Sequence, residues 1–75
     1  MTDIERLKKC INESGLTMVA LAHKSGISRE TLYNRLKGIG EFSASEITGL
    51  ASALHLSKSE RDAIFFAKKV ELNAT

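Results

Sequence analysis

Five side chains in the stretch Thr17 to Gly38, TMVALAHKSGISRETLYNRLKG, are of types that suit a base edge or a backbone phosphate: Arg29, Glu30, Tyr33, Asn34 and Lys37. An arginine can donate two parallel bonds to guanine O6 and N7, an asparagine can pair with adenine N6 and N7, and a glutamate can accept from cytosine N4. On that chemistry Arg29, Asn34 and Glu30 are candidate base contacts. Tyr33 suits a thymine methyl or a phosphate. Lys37 suits a backbone phosphate, as do Thr17, Lys24, Thr31 and Ser43, which fall at helix starts or edges. Ordinary solvent exposure accounts for any one of these residues, so the reading depends on their being presented together.

That presentation requires two short helices and a turn. Gly26 can take the positive φ of a tight turn, and Ser28 restarts the chain as a helix by capping the free amides that follow. Ile27 and Leu32 flank that cap as a hydrophobic staple, as Leu16 and Leu21 flank Thr17. The spacing predicts a second helix over about Met18 to Ser25, with Met18, Leu21 and Ala22 inward, and a third over about Arg29 to Lys37, ended by Gly38 and Gly40. Two capped helices joined by a glycine turn make a helix-turn-helix, whose second member can enter a major groove. With Leu32, Leu36 and Ile39 taken as the buried stripe, rotation of 100° per residue puts Glu30, Asn34 and Lys37 opposite and Thr31 and Tyr33 on the flanks. Arg29 falls nearer the core side, in the first turn, where it can project past the helix end. Arg35 lies beside the stripe, where an acid of the first helix is a candidate partner.

Around this unit the chain reads as three more helices. Thr2 and Glu5 form a capping-box pattern, after which Ile4, Leu7 and Ile11 recur at helical spacing until Gly15. Ser43 and Glu46 form another box, with a Phe42–Ile47 staple and an apolar stripe of Ile47, Leu50, Ala51 and Leu54. Ser57 and Glu60 form the third, opening a fifth helix over about Lys58 to Lys69. There Ile64, Phe65, Phe66, Ala67 and Val70 exceed one narrow stripe, so one phenylalanine is expected to face outward, and Phe65 and Phe66 are the candidate dimer surface. No segment alternates as a strand does. The expected architecture is all-α, a compact five-helix bundle and a single domain over residues 1–75, with its helix-turn-helix core at about 17–38.

Composition narrows the class. At 75 residues and 43% apolar, with no proline, the chain is expected to fold as one small domain with no room for a ligand-sensing one, and oligomerisation often helps cores of this size. The formal net charge is +2, but Lys24 to Lys37 alone carries +3, leaving −1 for the rest. Cations therefore gather where phosphates would be met, although a solvated face would look the same. On the first helix Arg6, Lys8 and Lys9 read as a solubilising face, with phosphate contact the lesser alternative. The start MTDIERLKKC lacks the apolar run of a signal peptide, and no stretch approaches the roughly 20 residues of a membrane span, so a soluble, cytoplasmic protein is expected. The single cysteine, Cys10, allows neither an internal disulfide nor a cysteine-based zinc site. His23 and His55 have no neighbouring nucleophile or ligand spacing, so no enzyme, cofactor, metal or small-molecule ligand is expected. Gly38-Ile39-Gly40 lacks the strand and Gly-Lys-Ser/Thr of a phosphate-binding loop and reads as helix termination.

The ordered string Leu21-Ala22, Gly26-Ile27-Ser28-Arg29, Thr31-Leu32, Leu36-Lys37-Gly38, and then Leu50-Ala51, Ala53-Leu54 and Leu56-Ser57, resembles the helix-turn-helix domains of phage CI and Cro repressors, the XRE family. The likeness runs from about Leu16 to Ser57. The tail with Ile64-Phe65-Phe66 looks like short Cro-type or CI-type proteins of Gram-positive phages and prophages. The resemblance implies a lambda-repressor-like five-helix domain that binds double-stranded operator DNA as a dimer. It implies bases at Arg29, Glu30, Tyr33 and Asn34, and backbone contacts at Lys37 and at the start of the second helix, Met18. Met18 stands where the family often has glutamine, so the amides of that helix start would replace a familiar contact. Leu36 and Gly40-Glu41-Phe42 depart from the family's acid at the end of the third helix and from its basic, proline-containing loop, which puts a loop contact in doubt.

The expected function is transcriptional control by occupancy: a homodimer on a pseudo-palindromic operator, blocking polymerase, with no membrane partner. The alternative is a helical protein-interaction module such as an antitoxin or anti-repressor component. A recognition helix without Arg and Asn would favour it, and this one has both.

Overall fold

The computed structural model describes residues 1–67. It contains α1 (Ile4–Ser14), α2 (Met18–Ser25), α3 (Arg29–Leu36), α4 (Ala44–Ala53) and α5 (Lys58–Phe65), with no strand among the described residues. None of these helices is long and apolar enough to cross a membrane. The core gathers one or two large side chains from every helix: Leu7 and Ile11, Leu21, Leu32, Ile47 and Leu50, and Ile64 and Phe65, with Ile27 from the turn. Leu7, Leu21, Leu32, Leu50 and Ile64 are fully enclosed. Burying such a side chain stabilises by about 1.5–3 kcal/mol, so these five anchor each helix by its apolar face.

Local capping explains where four of the helices begin. Thr17, Ser28, Ser43 and Ser57 accept from the amides three residues on, at 3.0, 3.1, 3.2 and 3.0 Å. Glu46 and Glu60 return the bond to Ser43 N–H (2.9 Å) and Ser57 N–H (2.7 Å), completing two capping boxes. The bonds from Ser57, the backbone one foremost, hold the Glu60 carboxyl below its ordinary value. The first helix differs from the sequence expectation. Its cap is Asp3, not Thr2, and the carboxylate accepts from Arg6 N–H at 3.0 Å. Asp3 N–H in turn donates to the Ile64 carbonyl at 2.6 Å, so packing against α5 fixes the residue that opens α1. Glu5 instead lies 3.9 Å from Lys8 at the surface.

Two more expectations are corrected, and a third, that one phenylalanine faces outward, holds for Phe66 and not Phe65. Ile39 does not join Leu32 and Leu36 inside. It is 57% exposed, because α3 ends at Leu36 and the helical rotation that placed Ile39 inward stops with it. Arg35 pairs across to α4 rather than to α1, with Nε 3.5 Å from Glu46 Oε1. The geometry there is Coulombic only, since Nε has no hydrogen-bond partner. The two phenylalanines divide sharply. Phe65 is 3% exposed and meets Phe42 edge to face at 5.4 Å, whereas Phe66, which caps α5, is 56% exposed. Phe65 therefore drops out of the candidate dimer surface. The helix also ends before Lys69; that residue and Val70 lie outside the described residues.

The turn that positions α3 is held from two sides. Gly26 has φ +76 and its N–H closes α2 on the Ala22 carbonyl at 2.9 Å. Behind it, Gly49 of α4 lies so close to Ser25 that a Cβ there would collide with the Ser25 carbonyl oxygen and come within 3.1 Å of its carbonyl carbon. The missing side chain is what lets α4 press on the end of α2.

Candidate nucleic-acid interface

The outer face of α3 emerges from its own packing. Leu32 is fully buried and Leu36 partly so, which turns Arg29, Glu30 and Tyr33 to solvent, Tyr33 being 47% exposed. Thr31 is half-buried as a flank residue and Lys37, the C-cap, is exposed, but Asn34, expected opposite the stripe, is also half-buried, while Tyr33, expected on a flank, is the more exposed of the two. Among the described residues no hydrogen bond or ion pair engages the side chains of Arg29, Glu30, Tyr33, Asn34 or Lys37. Thr31 Oγ1 accepts from Ser28 Oγ at 2.9 Å, which leaves its own O–H free to donate.

The start of α2 adjoins this face. Met18 and Leu36 line one groove together with Lys8, Ile11, Asn12, Gly15 and Leu16. Met18's half-buried side chain packs partly on the core and carries no hydrogen-bonding group, so the polar group this position offers is its backbone amide. Thr17 occupies the Ala20 amide as cap, and Leu21 N–H bonds the Thr17 carbonyl. The Met18 and Val19 amides remain at a helix start with no acid in its first turn, where the dipole favours an anion. Lys8 enters here as a cation that the sequence pattern assigned to a solubilising face. Its pairing with the largely exposed Glu5 is long, and such surface pairs contribute at most about 1 kcal/mol.

Two expected contacts stand differently. Lys24 lines a groove with His23, Ser52, Ala53 and His55, none of them on α3. Ser43 opens α4 with its hydroxyl on Glu46 N–H and 3.2 Å from Ser45 Oγ, and its amide is taken by Glu46. Its remaining capacity is a hydroxyl beside a carboxylate that Arg35 partly offsets. The basic cluster counted along the sequence is thus dispersed. With Arg35 tied to Glu46 and Lys24 turned to another groove, α3 offers Arg29 and Lys37 against Glu30, and Lys8 borders the groove beside it.

The sequence ranks phosphate contact by Lys8 below a solubilising role, since distance along a chain carries no sign of which helix start it borders. Gly49 did leave a trace: a glycine inside a well-capped helix commonly marks a close approach.

A family model described as helix-turn-helix matches residues 7–60, which takes in α1 from Leu7 onward, α2 through α4 and the first turn of α5. No curated protein and no solved structure matches the chain. The match covers well over half of the sequence, and its central portion coincides with the two capped helices and the Gly26 turn. The chain belongs to the helix-turn-helix family of the Cro/CI, or XRE, type, and its function is of the DNA-binding, transcription-regulating kind.

Proposed function

We propose that this protein is a sequence-specific repressor that acts by occupying an operator as a homodimer. The observation that carries the reading is the outer face of α3, where Arg29, Glu30, Tyr33 and Asn34 are held by a buried Leu32 and have no competing partner among the described residues. Arg29 and Asn34 supply bidentate bonds to guanine and adenine, Glu30 accepts from cytosine, and Tyr33 meets a thymine methyl. Lys37, Thr31, Thr17, the Met18 amide and Ser43 hold the backbone. Lys24 is the weakest member of the set, given its neighbours. Phe66 is the residue for self-association, and the two recognition helices of a dimer would enter successive major grooves about 34 Å apart. The mechanism requires no cofactor, metal or small-molecule ligand.

Selection of duplex DNA from a random pool by the purified protein tests this directly. The expected product is a palindromic motif, bound with an affinity that falls steeply with salt. Recovery of no preferred sequence at moderate salt would remove the reading and favour a protein-interaction module.

A further inference from the structure

The loop after α3 displays an apolar side chain with unusual firmness. Ile39 is more than half exposed, yet both of its backbone polar groups are bonded: its N–H donates to the Asn34 carbonyl at 2.9 Å, and its carbonyl accepts from Arg35 Nη1 at 3.2 Å. It sits between two glycines at φ +88 and +78, a conformation that other residues adopt only with strain. The Arg35 guanidinium that holds its carbonyl also covers Gly40 and faces Glu46 of α4, so the loop is pinned to two helices at once. An exposed isoleucine gains nothing for the monomer, and a loop pinned this way keeps it from folding back onto the core.

We propose that Ile39 is a DNA-contacting residue that packs on deoxyribose where the groove edge passes the end of α3; the inference rests on the operator-binding reading above. Its backbone is bonded to Asn34, a proposed base reader, and it follows Lys37, a proposed phosphate contact, by two residues. A recognition helix places its first turn against the bases, which brings the chain beyond its last turn towards the strand backbone. The stretch Gly38 to Phe42 holds no cation, and Glu41 is its one charge. What this loop gives to DNA is therefore an apolar contact, indifferent to sequence and to salt, in place of a Coulombic one.

The test uses the operator recovered from the random pool and compares wild-type protein with Ile39→Ala, Ile39→Lys and Lys37→Ala over a salt series. Ile39→Ala is expected to weaken binding about three- to tenfold on operator and unrelated DNA alike, with an unchanged salt slope and melting temperature. Ile39→Lys is expected to recover affinity at low salt and to steepen the slope by about one. Unchanged affinity in both Ile39 variants, while Lys37→Ala still weakens binding, would overturn the inference and leave the operator-binding reading intact. So would a change of self-association in Ile39→Ala, which would assign the loop to a second copy of the chain. A loss of affinity that follows a lower melting temperature and is not recovered by Ile39→Lys would also overturn it, as a folding effect. A wild-type protein that enriches no DNA would remove both readings together.

Discussion

Arg29 and Lys37 are the two cations on the outer face of α3, and the operator-binding proposal gives them different tasks. Arg29 is the first residue of the helix, exposed beside the Ser28 cap, where a long fork of donors can reach past the helix end to a base edge. Lys37 closes the helix seven residues beyond Glu30, a compact charge at the end where the chain would leave a groove entered by α3. Arg29→Ala is expected to cost about 1–3 kcal/mol on the preferred operator and to relax specificity at one base pair, as read by repeating the random-pool selection with the variant. Lys37→Ala should weaken all sequences alike and lower the salt slope by about one. An Arg29 variant with an unaltered preference profile would count against its role as a reader. Arg35 falls outside this division. Although it lies in the same segment, its partly buried pairing with Glu46 and its bond to the Ile39 carbonyl make it a positioning residue for the loop.

The helices themselves place those side chains, and α4 matters here as much as α3. Replacing Gly49 by alanine sets two effects against each other. Helix propensity favours alanine by about 1 kcal/mol, whereas forcing a methyl group into a filled contact typically costs about 1–3 kcal/mol. The obstacle is the backbone carbonyl of Ser25, which cannot swing aside as a side-chain tip can, so the steric cost should win. Gly49→Ala is expected to destabilise by about 1–2 kcal/mol in urea unfolding, with weakened DNA binding because the displaced segment ends at the Gly26 turn. A variant more stable than wild type would show that α4 relaxes away at little cost. The starts of α2 through α5 were legible because a cap is local chemistry: a serine or threonine serves amides only three residues away. Asp3 displaced Thr2 because its position is set by Ile64, some sixty residues distant, which no local pattern carries. Ile39 was misplaced by extending helical periodicity through Gly38, the residue expected to stop it. The partner of Arg35 and the neighbours of Lys24 were illegible for the same reason as Asp3, since both depend on α4 crossing the end of α2 and not on spacing along the chain. The exposure of Glu30 and Lys37 was legible because Leu32 and Leu36 orient the helix, whereas Asn34 is half-buried where the stripe placed it fully outward.

At the scale of the whole molecule the modest charge of the proposed DNA-facing surface bears on how the protein would bind. Arg29, Lys37 and Lys8 set against Glu30, together with one helix start, give few phosphate contacts per chain, and a domain with so few should bind non-specific DNA weakly and an isolated half-site little better. In the proposed mechanism useful occupancy depends on two chains acting together, because joining two half-site interactions makes the second effectively intramolecular. Phe66 is the feature that can join them. It is a large aromatic ring left more than half exposed, next to a Phe65 that is already enclosed with Phe42, so the core has no remaining use for it. In a two-fold interface the same ring is buried from both protomers, and its loss counts twice. Phe66→Ser is expected to weaken self-association by on the order of 2–4 kcal/mol in sedimentation equilibrium, with unaltered helix content by circular dichroism. Binding to the full operator should fall towards that of a half-site, whereas binding to a half-site itself should be unchanged. That last comparison separates assembly from recognition, since a ring that touched DNA would weaken the half-site as well. Self-association that survives the substitution would place the dimer contact on another face of the bundle.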